Sequence, residues 1–149
     1  MFRMATTTKA CAAALMCVLA LSTSGCIAED DPESKIRALL ATERHSKDIL
    51  PANLSVEGLV MESSRQVGTS DDVHYFVAEY GADGVCLILV NQASAATSSS
   101  CGSDARGMLS ITTQTGGARV LNSADDGVPS GWKKLGDFLI VNPKAGANG

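Results

Sequence analysis

The sequence predicts an α+β domain in which one N-terminal helix packs on an antiparallel sheet of five or six strands. Apolar residues recur at helical spacing after Asp31, and from residue 54 onward short alternating or apolar runs are separated by glycine-rich turns. One helical segment followed by strands with short connections is typical of a helix packed on an antiparallel sheet. We expect residues 32–142 to form this single domain.

Residues 1–25 have the three parts of a secretory signal peptide. Arg3 and Lys9 give a basic start without any acid, residues 10–21 are almost wholly apolar, and small residues follow. These 12 apolar residues would span about 18 Å as a helix, whereas the hydrocarbon core of a bilayer is roughly 30 Å thick. The length therefore favours a cleaved signal over an uncleaved transmembrane anchor.

Cys26 follows this leader directly, in the run Leu21-Ser-Thr-Ser-Gly-Cys26. The arrangement resembles a bacterial lipoprotein signal, which implies a first mature residue modified by lipid, including palmitate. The two residues before the cysteine fit that pattern, but Thr23 stands where such signals usually have leucine. Ordinary cleavage nearby, with Cys26 as a plain thiol, stays an alternative. Lipidation would hold the protein on the extracytoplasmic face of the cell membrane through a short tether, residues 26–31.

The length of the mature chain indicates one domain, and its net charge limits the classes of partner. Cleavage before Cys26 would remove 25 of the 149 residues and leave 124, enough for one domain with a modest core. The leader carries two basic residues and no acid, so the net charge would change from −4 to −6. This balance disfavours nucleic acid and anionic lipid head groups as partners. We expect the membrane, reached through the lipid anchor, and an envelope protein as partners, with no metal and no cofactor.

Cys86 and Cys101 are the cysteines that remain after the leader and Cys26. An even number of remaining cysteines in an exported chain predicts a disulfide. Closing a loop of about 15 residues in this way stabilises the folded state by roughly 3 kcal/mol. Two alternatives are weaker. A redox site usually keeps its cysteines two residues apart, and a zinc site would need His45 and His74 at spacings that match no known site.

The helix is predicted to begin at Asp31-Pro32-Glu33, with Asp as N-cap and Pro in the first turn. Its buried stripe would be Ile36, Leu39 and Leu40. Glu33 and Arg37 are spaced as a favourable i,i+4 pair. We expect the helix to end near Lys47, because Pro51 disfavours helical geometry in the residue before it.

The clearest strand is residues 73–80, which alternate in polarity and lead through the turn 81–84 into residues 85–90. The latter run is apolar on both faces, which predicts a central strand covered on each side. We further expect a surface loop at 91–100 and two strands, 108–115 and 118–121, joined by a turn at 116–117. The last strand is expected at 137–141, followed by a disordered tail at 143–149.

Several short runs carry a family resemblance. They are Asp48-Ile-Leu-Pro51, Glu62-Ser-Ser-Arg65 with Gly68, Tyr75-Phe-Val-Ala78, Gly84-Val-Cys-Leu-Ile88 and Ser99-Ser-Cys101-Gly. In these runs the chain resembles small uncharacterised exported lipoproteins of actinobacteria that have a paired-cysteine C-terminal sheet domain. The resemblance covers residues 48–102 and implies a Cys86–Cys101 pair and a high-GC Gram-positive origin. It implies no catalytic residue.

Three functions remain open on the sequence. We prefer a non-enzymatic, protein-interaction role at the membrane surface, because no reactive constellation accompanies the lipid signal. A second hypothesis is a cell-envelope or small-ligand binding module that uses Trp132, Tyr75 and Tyr80. A third is a hydrolase that uses His74 or a pair of acids. Arg65, if buried, is expected to form a salt bridge with an acid, for which Glu62, Glu79 and Asp137 are the candidates.

Overall fold

A computed structural model describes residues 31–105, 109–113, 116–123 and 126–143. The predicted leader, the lipidation candidate Cys26, the tether before Asp31 and the tail from residue 144 lie outside these ranges. The expectations about those segments stay predictions.

The described ranges contain one α-helix and eight strands, and every strand pair is antiparallel. The elements are α1 (Pro32–Leu40), β1 (Arg65–Ser70), β2 (Val73–Tyr80), β3 (Gly84–Asn91), β4 (Thr97–Gly102), β5 (Ser110–Thr113), β6 (Gly116–Val120), β7 (Lys133–Leu135) and β8 (Leu139–Asn142). They form two four-stranded sheets, a first sheet in the order β1-β2-β3-β4 and a second in the order β5-β6-β8-β7. The predicted class of one helix with antiparallel sheet is confirmed, but a single sheet of five or six strands is wrong.

Helix α1 begins as predicted. Asp31 is the N-cap, and its carboxylate accepts a hydrogen bond from the backbone N–H of Ser34 at 3.2 Å, with Pro32 in the first turn. Arg37 Nη2 lies 3.6 Å from Glu33 Oε1, which is the predicted i,i+4 pair. The same guanidinium donates to the backbone carbonyl of Asp83, so it also ties the helix to the turn between β2 and β3.

The helix ends at Leu40, and the prediction that it continues to Lys47 is wrong. The backbone N–H and the hydroxyl of Thr42 both donate to the carbonyl of Leu39, at 3.1 and 2.7 Å. The carbonyl of Thr42 in turn accepts from the guanidinium of Arg65, far along the chain. A local turn at the Leu39 carbonyl and a tertiary donor at the Thr42 carbonyl therefore take up backbone groups that a longer helix would pair internally.

The β2–β3 hairpin is the centre of the first sheet. Strand β2 has the predicted bounds, whereas β3 is one residue longer at each end than the predicted 85–90, so Gly84 belongs to the strand and not to the turn. Tyr80 pairs with Gly84 across the turn. Every residue from 85 to 90 is buried, so the prediction of a central strand covered on both faces is confirmed. Position 84 requires glycine for a steric reason, because a Cβ there would lie 2.7 Å from the carbonyl oxygen of Tyr80.

Two apolar clusters cover the two faces of the first sheet. The inner core combines alternate residues of β2 and β3 with α1 and with the second sheet, including Ile36, Tyr75, Leu87, Leu139 and Val141. The outer core lies on the opposite face and includes Leu50, Phe76, Cys86, Ile88 and Val90, with partly buried side chains of residues 54–61 packed against it. The irregular segment that precedes β1 thus acts as the cover of the outer face.

Two further local predictions are wrong. Only part of the expected loop 91–100 is a loop, because Thr97–Gly102 pairs along β3 as strand β4. The glycines at 116 and 117 begin strand β6 and pair with β5 and β8 instead of forming a free turn. In both segments the side chains are too small to show a periodic pattern, so pairing with a neighbour decides the structure.

Candidate functional site

The three aromatic residues predicted to line one site lie in three different parts of the fold. Tyr75 is completely buried in the inner core. Tyr80 is partly buried and packs against the outer core, on the opposite face of the first sheet. Trp132 precedes β7 of the second sheet and is also partly buried. The fold does not bring these rings together into one binding surface.

Tyr75 is unusual among them because its hydroxyl is buried and has no hydrogen-bond partner in the described part of the chain. Burial raises the pKa of this phenol, and the negative charge of Asp71 raises it further. The hydroxyl therefore stays protonated over the whole physiological range. A neutral phenol in the core serves packing and offers no acid–base chemistry at neutral pH.

Trp132 lies against Arg119, whose Cζ is 5.8 Å from the centroid of the indole ring. This is the geometry of a cation–π contact. Arg119 pairs across the sheet with Ile140, and both point away from the inner core, since the alternate residues Leu139 and Val141 belong to that core.

Ile140 is nevertheless completely buried, although its side chain lies on the face of the second sheet that points away from the inner core. Its cross-strand neighbours are Arg119 and Lys134. The indole of Trp132 contacts Arg119 on this same side of the sheet. Trp132, Arg119 and Lys134 together form what we call the Trp132 surface. It combines an aromatic ring with two positive charges on a chain whose net charge is −4.

Asp126 borders the Trp132 surface. The backbone N–H groups of Asn122 and Ser123 donate to its carboxylate at 2.7 and 3.2 Å and hold its pKa below the ordinary value of 3.8. The positive charge of Arg119 acts in the same direction. This carboxylate is therefore ionised at neutral pH, and it partly balances the positive charge next to the tryptophan.

The predicted disulfide is present between Cys86 and Cys101. The two residues are directly opposed in the β3–β4 register, with their Cα atoms 4.0 Å apart. Cys86 is completely buried in the outer core. The bond therefore fastens edge strand β4 to the central strand β3, which is the structural role that the sequence predicts.

The two histidines lie apart from each other. Nδ1 of His74 lies 3.3 Å from the side-chain amide of Gln66, and its ring packs near Phe76 with centroids 6.4 Å apart. Within the described ranges, no hydroxyl, thiol or carboxylate hydrogen-bonds this ring. His45 is exposed and contributes its backbone N–H to Asp48. The hydrolase hypothesis therefore receives no nucleophile–base pair at His74 from the described residues.

A buried polar network in front of β1 is the largest feature that sequence reasoning missed. Asp48 is only 2 % exposed, and its two carboxylate oxygens accept the backbone N–H groups of His45 at 2.7 Å and Gln66 at 2.8 Å. Burial raises the pKa of Asp48, but these two donors, together with the positive charges of Lys47 and Arg65, outweigh it and hold the pKa below 3.8. The carboxylate is therefore charged at neutral pH and joins the irregular segment to β1.

Ser64 and Arg65 complete this network. The Ser64 hydroxyl lies 2.6 Å from the carbonyl oxygen of Asp48 and 3.2 Å from Nη2 of Arg44, from which it accepts. Arg65 donates to the carbonyls of Thr42, Ser63 and Ser64, so the expected salt bridge to Glu62, Glu79 or Asp137 is replaced by bonds to the backbone. The network stabilises the cover of the outer core. Its partial signal in the sequence is Arg65, because a buried guanidinium needs hydrogen-bond partners.

A shallow cleft opens between the two sheets at the end where β3 leads into β4. Apolar and neutral polar side chains line it, namely Val73, Leu89, Asn91, Ala96, Ser98 and Thr113, together with Gly116. None of these groups is charged. Such a lining supplies no acid, base or nucleophile of its own beyond hydroxyl and amide groups.

The described ranges contain neither a metal-ligating cluster nor a membrane-crossing helix. No group of three or more His, Cys, Asp or Glu residues there has the geometry to hold a metal ion. Nor does any helix within those ranges have the length and apolar character that a membrane span needs.

The comparisons with known proteins give no relative. No family model, no curated protein and no solved structure matches this chain. The resemblance to actinobacterial exported lipoproteins therefore stays a prediction from the residues quoted above.

Proposed function

We propose that this protein is an extracytoplasmic lipoprotein, anchored to the cell membrane through lipid on Cys26, that acts by binding other envelope components and not by catalysis. The single observation that carries the proposal is the run Leu21–Cys26 after a basic and apolar leader. Among the described residues, Cys86 and Cys101 form a disulfide, and Nδ1 of His74 lies beside the side-chain amide of Gln66 and not beside a nucleophile. The proposed activity is therefore one of contact.

Two structural features support this proposal. The Cys86–Cys101 disulfide is a bond of oxidising compartments, which agrees with an exported chain. Helix α1 has its N-cap at Asp31, only five residues after Cys26. A tether that short reaches at most about 20 Å when extended, so the domain would lie close to the membrane surface.

The anchor is tested by changing the lipid acceptor alone. We expect Cys26→Ser to release the protein from the membrane fraction into the medium, since a serine cannot receive the thioether-linked lipid. Cys11→Ser, a matched cysteine change inside the leader, should leave the protein bound. Intact mass of the membrane form should equal a chain that begins at Cys26 plus its lipid. Firm membrane association of the Cys26→Ser variant would refute the anchor.

The Trp132 surface supports a second candidate, a cell-envelope binding module. Tryptophan and arginine are the residues most enriched in binding hot spots, and here the two side chains are in contact. Purified cell-wall material should sediment the wild-type protein, and Trp132→Ala should reduce the bound fraction severalfold. Val128→Ala, an exposed apolar residue in the preceding loop, is the matched control and should not change it. Absence of wild-type binding to the cell wall would refute this candidate.

A further inference from the structure

We propose that two copies of this chain associate through their β4 strands, which pair antiparallel about a two-fold axis at Ser99. β4 is an edge strand of the first sheet, with β3 on one side and no described strand hydrogen-bonded on the other. Pairing of two such edges would join the first sheets of both copies into one continuous sheet.

The free backbone groups of β4 can be assigned from the hydrogen bonds of the hairpin. The backbone N–H of Asn91 donates to the carbonyl of Ala96 at 2.8 Å. In an antiparallel ladder, pairs that exchange backbone hydrogen bonds alternate with pairs that do not. Ser98 and Ser100 therefore direct their backbone groups to β3, whereas the residue between them and the residues on either side direct theirs outward. The close approach of the Cys86 and Cys101 Cα atoms, 4.0 Å, agrees with a pair that is not hydrogen-bonded.

The outward groups therefore belong to Thr97, Ser99 and Cys101. Within the described ranges, no turn or strand outside β3 takes up these N–H and C=O groups. Exposed backbone groups in a row are a template for another strand.

Two of the other edges, those of β1 and β7, carry the usual protection against such pairing. The β1 edge is interrupted by a bulge between Gln66 and Gly68. Strand β7 has three residues, two of which are Lys133 and Lys134. β4, by contrast, has six residues, no charge, no proline and an unbroken register with β3. The disulfide at Cys101 additionally fixes this edge to the centre of the sheet.

The sequence of β4 favours a second copy over an unrelated partner. The run Thr97-Ser-Ser-Ser-Cys101 is nearly the same when read in reverse. About an axis at Ser99, Thr97 would face Cys101 of the second copy and Ser98 would face Ser100 of the second copy. Every opposed pair is small and uncharged, so the strand meets no repulsion even though the chain carries a net charge of −4. The outward groups of all three residues would then be paired in both copies.

Sedimentation equilibrium of the purified protein, with its disulfide intact, tests this proposal over a range of concentrations. We expect a monomer–dimer equilibrium for the wild type. Ser99→Lys places two positive charges opposite each other at the axis, and it should raise the dissociation constant at least about tenfold. The matched control is Thr69→Lys, an exposed position on the β1 edge, which should leave the constant unchanged. The proposal does not depend on the lipid anchor.

Further variants keep the proposal testable if the lysine disturbs folding. Ser99→Pro removes one outward N–H that β3 does not use, and it should also abolish the dimer while circular dichroism stays unchanged. A photoreactive residue at position 99 should crosslink two copies, and one at 69 should not. A wild type that stays monomeric at millimolar concentration would overturn the proposal, as would equal effects of Ser99→Lys and Thr69→Lys. Crosslinking from position 99 to another protein alone would overturn the choice of a second copy.

Discussion

Asp48→Asn is the change that most directly tests how the irregular segment is held on the first sheet. The two Asp48 oxygens accept separate backbone N–H groups, from His45 at 2.7 Å and from Gln66 at 2.8 Å. An asparagine has nearly the same shape, but only one of its two terminal atoms can accept. The other would present N–H groups to a backbone donor.

The expected loss of stability follows from these two contacts. Hydrogen bonds to a charged acceptor contribute about 1.5–3 kcal/mol each, and a buried donor left unpaired costs about 1–3 kcal/mol. In the variant one bond becomes neutral and the other is lost at a site that is only 2 % exposed. We expect the free energy of unfolding at pH 7 to fall by about 2–4 kcal/mol.

The effect should depend on pH in a defined direction. Burial raises the pKa of Asp48, but the N–H groups of Gln66 and His45, together with the charges of Lys47 and Arg65, outweigh it and leave the pKa below 3.8. A carboxyl whose pKa is lower in the folded state stabilises the fold fully above its unfolded pKa, and this contribution is lost as the pH falls through the folded pKa. The difference between wild type and variant should therefore be constant near neutrality and shrink below pH 3.8.

Urea unfolding followed by far-ultraviolet circular dichroism, at pH 7 and at several values below 4, measures both effects. Asp126→Asn is the control, because Asp126 also accepts two backbone N–H groups and has a lowered pKa but lies in a surface loop where water can replace them. It should cost much less stability than Asp48→Asn. Equal stability of wild type and Asp48→Asn at pH 7 would refute the role assigned to this carboxylate, and so would a difference that persists unchanged in acid.

The remaining predictions concern the disulfide, one glycine and one arginine. Replacing Cys86 and Cys101 together by alanine should lower the free energy of unfolding by about 3 kcal/mol, and added reductant should have no further effect on that variant. Gly84→Ala should destabilise by about 1–3 kcal/mol in thermal unfolding, because its Cβ would lie 2.7 Å from one carbonyl oxygen and 2.8 Å from another, whereas Gly127→Ala meets nothing within 4 Å and should be neutral. Arg65→Leu, measured by urea unfolding, should cost about 1–3 kcal/mol because three backbone carbonyls lose their donor; an unchanged midpoint would refute that role.

Local chemistry explains the predictions that are confirmed. Asp31 and Pro32 begin the helix because capping depends on residues within one turn. The β2–β3 hairpin follows from two strand-like runs around a short glycine turn. The disulfide follows from counting cysteines in a chain that the sequence predicts to be exported. Each of these signals lies within a few residues or in the composition, so no knowledge of the tertiary structure is needed.

The division into two sheets is a non-local property. Apolar alternation states which side of a strand is buried, but it does not state which strand lies beside it. Leu109 and Ile111 have the same alternation whether their strand extends the first sheet or faces it. In the fold, β5 contacts β4 and β7 contacts β1, while the hydrogen bonds of β5 and β7 go to strands of the second sheet. Such a choice depends on the total burial that two packed sheets achieve.

Arg65 shows why the polar network was also out of reach. A buried guanidinium must be satisfied, and an acid is the partner that residue types alone suggest. Arg65 has five donors, however, and the irregular segment before β1 offers carbonyls that no strand or helix uses, at Thr42, Ser63 and Ser64. The direction of those carbonyls exists only once the segment has folded over the outer core. The arginine and the segment therefore determine each other's structure, and neither can be assigned from its own sequence alone.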